Sequence, residues 1–197
     1  MNETAKPRIS LMLSLFLALL SGACGGPAEE PPLHGAKIGG AWTLVDHDAR
    51  PVSDRDFAGK YRIVYFGFAT CPDICPTDLA KIGQAMRILE KEEPKLAQKV
   101  QPLFITTDPE RDTPKVLKEY VGAFHPRITG LTGTPEQIAA AAKGHAIFYS
   151  KVPTETGYTM EHQRIVYLLG PQGEPIAMLP HEQGAEAIAA EIERWAA

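Results

Sequence analysis

The amino-acid sequence predicts an α/β fold, in which helices cover both faces of a mixed central sheet and form a three-layer α/β/α sandwich. Two observations predict this class. Short apolar runs alternate with helical patterns from residue 41 onwards, and a pair of cysteines lies where one strand passes into a helix. The chain has 197 residues, 44% of them hydrophobic and 22% charged, which suits one soluble folded domain with an appendage. We therefore expect a single domain over residues 41–197.

Six segments have the composition of β-strands. Segment 61–68 is a continuous run of mostly apolar and aromatic residues, as expected of a strand that is buried on both faces in the middle of a sheet. The Gly-Pro-Gln-Gly sequence at 170–173 predicts a turn between the last two strands. The predicted strands are 41–45, 61–68, 100–106, 145–151, 165–169 and 175–179.

Four helices are predicted from apolar residues spaced three and four apart and from capping sequences. The first follows the cysteine pair. The second and third start after Thr113 and Thr134, where a threonine cap precedes a proline, and Gln137 completes a capping box in the third. The fourth runs from about residue 184. The residues expected to face inward are Leu79, Ile82, Met86 and Leu89, then Val116, Leu117, Tyr120 and Val121, and finally Ile188, Ile192 and Trp195.

The first 23 residues have the pattern of an export signal, with a basic start, an apolar run at 9–20 and small residues before Cys24. The apolar run is shorter than the roughly 20 residues that span a bilayer as a helix, so an uncleaved transmembrane anchor is the weaker alternative. Cys24 is the predicted lipidation site, with plain cleavage after Ala23 as the other reading. Residues 24–40 are rich in Gly and Pro and predict a flexible tether. We expect a protein of the bacterial cell envelope, tethered to the membrane and facing the periplasm.

The cysteines of the predicted domain, Cys71 and Cys75, lie between the end of strand 61–68 and the first helix. Because the positive end of a helix favours an anion, we expect these thiols to ionise more readily than free ones. Their spacing of four permits either a disulfide or a shared metal ion. An inert structural disulfide is disfavoured, since closing so short a loop removes little chain entropy. This placement makes a thioredoxin-like sheet the best candidate fold.

The ligands available limit which metal such a site could hold. Two thiols are fewer ligands than an iron–sulfur cluster or a closed structural zinc site usually requires. Two thiolates with one imidazole form a soft set that suits copper in either oxidation state. Among the six histidines, His162 is the candidate ligand, because it comes just before strand 165–169 and its loop would lie beside the start of the first helix.

Several blocks of the sequence resemble the Sco/SenC family of copper-binding proteins. They are the Cys-Pro-x-x-Cys-Pro core from Cys71, the segments 107–114, 124–126 and 130–138, and His162. The resemblance covers essentially the whole predicted domain, and it implies that Cys71, Cys75 and His162 bind one copper ion, as Cu(I) or Cu(II). The family usually has Asp before this histidine and Ser or Thr after it, where this chain has Glu161 and Gln163. We expect those departures to affect affinity, redox potential or partner choice more than ligation.

The resemblance implies a metallochaperone rather than an enzyme, which passes copper to the binuclear copper centre of cytochrome c oxidase. Its implied partners are the copper-bearing oxidase subunit and, beyond it, periplasmic copper chaperones or thioredoxin-like reductases. The turn at Asp108, Arg111 and Asp112 is interpreted as structural. The formal charge of −4 and the absence of a basic cluster argue against nucleic-acid binding.

The main alternative function is a thiol-disulfide oxidoreductase, in which Cys71 attacks a partner disulfide and Cys75 resolves the mixed disulfide. Its substrates would be the cysteines of the oxidase copper site or other exported thiols. The CxxxC spacing departs from the CxxC usual in such enzymes. A peroxidase is a weaker reading, because the related peroxiredoxins have a threonine three residues before the thiol, where this chain has Phe68.

Overall fold

The computed structural model describes residues 29–196, which contain nine strands and five helices. The strands are Thr43–Asp46 (β1), Pro51–Ser53 (β2), Tyr61–Gly67 (β3), Val100–Thr106 (β4), Thr129–Thr132 (β5), Tyr149–Thr154 (β6), Gly157–His162 (β7), Val166–Leu169 (β8) and Pro175–Met178 (β9). The helices are Ile74–Glu92 (α1), Pro94–Ala97 (α2), Pro114–Gly122 (α3), Pro135–Gly144 (α4) and Ala185–Ala196 (α5), with 3-10 turns at Asp54–Phe57 and His181–Gln183.

Seven strands form one mixed sheet in the order β2-β1-β5-β4-β3-β8-β9. The three strands β3, β4 and β5 run parallel to one another. Antiparallel strands extend this centre on both sides, with β8 and β9 next to β3 and with β1 and β2 next to β5. The remaining strands, β6 and β7, form a separate two-stranded hairpin. The predicted mixed central sheet is therefore confirmed.

The two faces of the sheet carry separate apolar cores, because side chains alternate across each strand. On one face, Ile63 and Tyr65 of β3 pack with apolar residues of α1, α3 and α5. On the other face, Val64 and Phe66 pack with residues of α4. β3 is thus buried on both sides, which is why its sequence is continuously apolar. The arrangement confirms the predicted three-layer sandwich.

The helix caps form as predicted. The Thr113 hydroxyl accepts a hydrogen bond from the Val116 N–H, and Thr134 and Gln137 form the capping box of α4. The prediction that Val116 faces inward is wrong, since 37% of this residue is exposed. Only Leu117 and Val121 of α3 are fully buried.

The segment 145–151 differs from the predicted strand. Its first residue, His145, ends α4, and its N–H donates to the carbonyl groups of the last helical turn. The strand begins at Tyr149 and pairs with β7 in the hairpin, so His162 ends a strand instead of lying in a loop. The sequence does not predict three of the nine strands, β2, β5 and β7. For β2 and β5, three or four residues give too little alternation to be recognised.

The predicted tether is only partly described, because residues 1–28 lie outside the described part of the chain. The compact unit begins at Pro31. The Leu33 N–H donates to the Ile176 carbonyl (3.0 Å) and the Gly39 N–H to the Gly144 carbonyl (2.8 Å). Residues 31–40 are therefore packed on the domain, contrary to the expectation of a free tether, because Leu33 and Ile38 cover part of its apolar core.

The export signal and the lipidation of Cys24 fall on residues outside the described range, so both stay predictions. Among residues 29–196, no helix is long and apolar enough to cross a membrane.

Candidate metal centre

The two cysteines lie in the connection from β3 to α1. The chain leaves the sheet at Gly67 and turns so that the Cys71 N–H donates to the Phe68 carbonyl (3.2 Å). Cys75 lies in the first turn of α1, whereas Cys71 lies in the preceding loop, so the pair spans the start of the helix. Both residues are free thiols and both are buried, Cys75 completely.

Gly67 allows the sulfur of Cys75 to lie against the end of β3. A Cβ atom at this position would stand 3.0 Å from Cys75 Sγ and 2.8 Å from the Phe104 ring. The second distance is shorter than real Cβ contacts, so any larger residue would push the ring or the sulfur away. A glycine is therefore needed here for close approach.

The structure brings His162 to the cysteine pair, as the sequence predicts. His162 Nε2 lies 3.3 Å from Cys75 Sγ, and the imidazole packs edge-on against Tyr65 and Phe68. His162 Nδ1 lies 3.0 Å from the Gln163 carbonyl oxygen. Because a carbonyl can only accept, Nδ1 carries the proton and Nε2 presents its lone pair towards the sulfur. This is the tautomer that a metal ligand needs.

Burial controls the protonation of both groups. It raises the pKa of the Cys75 thiol to about 12, although a hydrogen bond with the Phe68 backbone acts in the opposite direction. The expectation that this thiol ionises readily is therefore wrong for Cys75. Burial lowers the pKa of His162, which keeps the imidazole neutral and able to bind a metal through Nε2.

A buried ion pair next to the site was not predicted. Asp78, on the α1 turn after Cys75, is completely buried. Arg164 donates to both of its carboxylate oxygens, from Nε to Oδ2 at 2.7 Å and from Nη2 to Oδ1 at 2.5 Å. The Tyr65 hydroxyl donates to Oδ2 at 3.1 Å. One sequence signal existed: Asp78 is a charged residue on the apolar stripe that also contains Cys75 and Leu79.

The turn at residues 108–112 joins the cysteine loop to the hairpin. Arg111 forms an ion pair with Asp108, and its Nη1 donates to the Tyr158 carbonyl of β7 at 3.0 Å. Asp112 Oδ2 accepts hydrogen bonds from the Ala69 N–H (2.9 Å) and the Thr106 hydroxyl (2.6 Å). These contacts hold the turn against both halves of the site.

The two residues that depart from the family pattern, Glu161 and Gln163, have different surroundings. Glu161 is exposed on the hairpin opposite Ser150. Gln163 forms two hydrogen bonds with the backbone of Phe148. Its N–H donates to the Phe148 carbonyl, and its Oε1 accepts from the Phe148 N–H, both at 3.0 Å. Gln163 therefore fixes the chain beside His162 through the base of the hairpin.

The other described histidines do not converge on the cysteines. His47, His125 and His145 bond to groups elsewhere in the fold. His181 bonds to the Leu179 carbonyl, and its Nε2 lies 4.0 Å from Asp78 Oδ2. Within residues 29–196, no three His, Cys, Asp or Glu side chains are arranged as a fully formed metal site. The closest approach to one is the contact between Cys75 and His162.

Solved structures resemble the whole folded part of the chain. Arabidopsis thaliana ScoI with copper bound is 34% identical, with a TM-score of 0.74, and the match covers 80% of this chain and 97% of that one. BsSco, described as a member of the Sco family of cytochrome c oxidase assembly proteins, is 24% identical with a TM-score of 0.61, over 84% and 95% of the chains. The thioredoxin domain of a Bacteroides vulgatus thiol-disulfide oxidoreductase shares the fold alone, at 16% identity and a TM-score of 0.57, over 81% and 96% of the chains.

Fold and site together define a thioredoxin-like protein with two thiols and an imidazole at the start of its first long helix, and the predicted thioredoxin-like class is confirmed. Residues 30–197 match the family described as SCO1/SenC, and the chain belongs to this family. The mouse protein named SCO2 homolog, mitochondrial, is 42% identical over 165 residues, which are 82% of this chain and 64% of the mouse protein. The chain thus spans less than two thirds of that relative.

The names of the relatives contradict the predicted location in the bacterial cell envelope. The matching proteins of mouse and of Saccharomyces cerevisiae are named as mitochondrial proteins. The prediction of a bacterial cell envelope is therefore wrong, because it rested on an N-terminal pattern and not on the folded domain, which is the part that these relatives share.

Proposed function

We propose that this chain binds copper as cargo through Cys71, Cys75 and His162 and delivers it to the copper-bearing subunit of cytochrome c oxidase during assembly. The observation that carries the proposal is the 3.3 Å contact between Cys75 Sγ and His162 Nε2. These two residues are 87 positions apart in sequence, one in helix α1 and the other at the end of the hairpin. Family membership and the copper-bound Arabidopsis neighbour support it.

The donor set suits copper. Two sulfurs and a neutral imidazole nitrogen are soft or intermediate ligands that bind Cu(I) and Cu(II). Because burial raises the pKa of the Cys75 thiol to about 12, the metal must displace the thiol proton, and copper binding releases that proton. The Cys75 N–H points at the Cys71 sulfur, with 3.5 Å between the nitrogen and the sulfur, so the two cysteines are neighbours at the start of α1.

A second candidate function, thiol-disulfide exchange, is favoured by the two neighbouring free thiols on a thioredoxin-like fold. In that function, the less buried Cys71 attacks a partner disulfide and Cys75 resolves the mixed disulfide. His162 has no necessary part in such an exchange, although it contacts Cys75. The two functions can therefore be separated at His162.

The test is a copper titration of the reduced protein, with bound metal counted after gel filtration. We expect one copper per chain, and loss of binding when Cys71 or Cys75 is replaced by Ser or when the two cysteines are oxidised to a disulfide. His162→Ala should weaken Cu(II) binding strongly and Cu(I) binding less, while replacement of the exposed His34 by Ala should change neither.

Oxidase assembly in cells distinguishes the two functions. Delivery of copper requires His162, so His162→Ala should prevent assembly while the purified variant still reduces a model disulfide. Normal assembly with His162→Ala, together with failed assembly with Cys71→Ser, would rule out copper delivery and favour thiol-disulfide exchange.

A further inference from the structure

We propose that the partly buried ion pair between Asp78 and Arg164 is a positioning pair that holds the His162 imidazole against Cys75 and thereby allows the site to retain Cu(II). The inference rests on the proposed copper function and adds residues that act through His162. Asp78 and Arg164 are 86 residues apart in sequence, and each lies close in sequence to a proposed ligand.

The pair joins the two halves of the site directly. Asp78 follows Cys75 by one helical turn of α1, and Arg164 follows His162 by two residues in the short connection from β7 to β8. The guanidinium group forms a two-pronged contact with the carboxylate, at 2.7 and 2.5 Å. Such a fork fixes both distance and orientation, unlike a single point charge. The connection that carries His162 is therefore fixed to the helix that carries Cys75.

The orientation of the imidazole depends on this connection. His162 Nδ1 donates to the carbonyl oxygen of Gln163, which belongs to the peptide group between Gln163 and Arg164. On its N-terminal side, Gln163 is held by its two hydrogen bonds to Phe148. On its C-terminal side, this peptide group is held by the ion pair of Arg164 with Asp78. If the pair is removed, the carbonyl can rotate, and the hydrogen bond that directs Nε2 towards Cys75 is lost.

Stability alone does not explain why the pair is buried. Asp78 is completely buried and the Arg164 side chain is 29% exposed, so both groups lose hydration when the chain folds. Apolar residues of similar volume commonly stabilise a fold at least as well as a buried ion pair. Tyr65 packs edge-on against the His162 ring and also donates to Asp78 through its hydroxyl. The carboxylate therefore binds two groups beside the site, the Arg164 guanidinium and the Tyr65 hydroxyl.

Loss of this positioning should affect the two oxidation states unequally. Cu(I) can be held by two thiolates, whereas Cu(II) prefers geometries with nitrogen or oxygen donors. A displaced imidazole should therefore weaken Cu(II) binding and leave Cu(I) binding close to that of the unmodified protein. Residues that orient a ligand typically change metal affinity by about 10- to 100-fold when they are replaced.

The experiment compares three variants with the unmodified full chain. Arg164→Lys keeps the charge next to Asp78 but loses the fork, and the double variant Asp78→Asn with Arg164→Met removes both charges of the pair, so that no buried charge is left alone. The double variant also removes the contact of Arg164 Nη1 with Glu182 (3.4 Å), whose side chain is exposed. Arg50→Met is the matched control, because Arg50 also contacts a buried aspartate through two nitrogens, Asp46 at 2.8 Å, in the β1–β2 turn. Urea unfolding is measured for each protein, so that affinities are compared between folded chains.

The readouts are Cu(I) and Cu(II) affinities from competition with chelators and the electron paramagnetic resonance spectrum of bound Cu(II). We expect Cu(II) affinity to fall by about 10- to 100-fold in both site variants, with weaker nitrogen coupling in the spectrum, and to stay unchanged in Arg50→Met. The proposal is overturned if the folded double variant keeps the Cu(II) affinity and spectrum, or if Cu(I) and Cu(II) affinities fall by the same factor. A failure of the unmodified protein to bind copper through its cysteines would instead overturn the proposed function.

Discussion

The central sheet and the β6–β7 hairpin each carry one half of the candidate site, and they are packed in different ways. β3 is buried from Arg62 to Gly67 and leads directly to the cysteines. In the hairpin, β6 has no buried residue and β7 has one, Met160. The cysteine half is therefore held by apolar packing on both sides of a sheet, whereas the hairpin lacks such packing.

The hairpin packs on the core only through Met160 and the partly buried Tyr149 and Tyr158, and a few polar and aromatic contacts hold it further. The Tyr158 ring lies between the Arg111 guanidinium (4.0 Å) and the Lys151 ammonium (3.9 Å), and its hydroxyl donates to Asp108 at 3.0 Å. These contacts join the hairpin to the loop after β4, while Arg164 joins the end of the hairpin to α1. The contrast indicates that the position of His162 can be changed without unfolding the sheet, whereas the positions of the cysteines cannot.

The largest effect on stability and copper binding is expected in the central sheet, at Gly67 at the end of β3. Gly67→Ala places a methyl group 2.8 Å from the Phe104 ring and 3.0 Å from Cys75 Sγ, so the core must shift. We expect the free energy of unfolding to fall by about 1–3 kcal/mol, as for overpacked cores, together with weaker copper binding. Urea unfolding and copper titration measure the two effects.

Gly122→Ala is the control for that substitution, because a Cβ at Gly122 meets nothing within 4 Å and the residue ends helix α3. This variant should be as stable as the unmodified protein or slightly more stable. Equal stability and copper binding in Gly67→Ala and the unmodified protein would contradict the close approach of Cys75 to β3.

A smaller effect is expected at Tyr158, on the hairpin side. Tyr158→Leu removes the ring between Arg111 and Lys151 and the hydroxyl bond to Asp108. We expect the free energy of unfolding to fall by about 1 kcal/mol, because exposed cation–π contacts and neutral hydrogen bonds each contribute little. Hydrogen exchange should become faster at the β6–β7 amides and stay slow in β3. Tyr158→Phe, which keeps the ring, should show an intermediate change, and equal acceleration in β3 would argue against separate packing of the hairpin.

The smallest effect on stability is expected from protonation of two buried histidines, His125 and His145. Burial lowers the pKa of His125 and His145 below that of the unfolded chain. The unfolded chain therefore binds more protons than the folded one, and stability is fully present above pH ~6.5 and decreases as the pH falls below it. Urea unfolding between pH 7 and pH 5 should show this decrease, and His145→Phe should reduce it. A stability that rises on acidification would contradict the neutral state of these buried rings.

Local sequence patterns determined much of the fold and half of the site. β3, β4 and α1 were predicted because their apolar runs and spacings are long, and both threonine caps were predicted because capping depends on residues only three apart. Cys71 and Cys75 were placed correctly between a strand and a helix for the same reason. The position of His162 before β8 indicates a ligand, and the family resemblance implies the same role.

The tertiary structure alone decided how the second half of the site is held. The hairpin pairs residues of weak strand character, and its strands have almost no buried residue that would produce a clear alternation. The high pKa of Cys75 follows from burial beneath neighbouring elements, which the position of the thiol at a helix start does not reveal. The Asp78–Arg164 pair joins residues 86 positions apart. Which distant charges meet depends on how α1 and the β7–β8 connection pack together, and no local pattern contains that information.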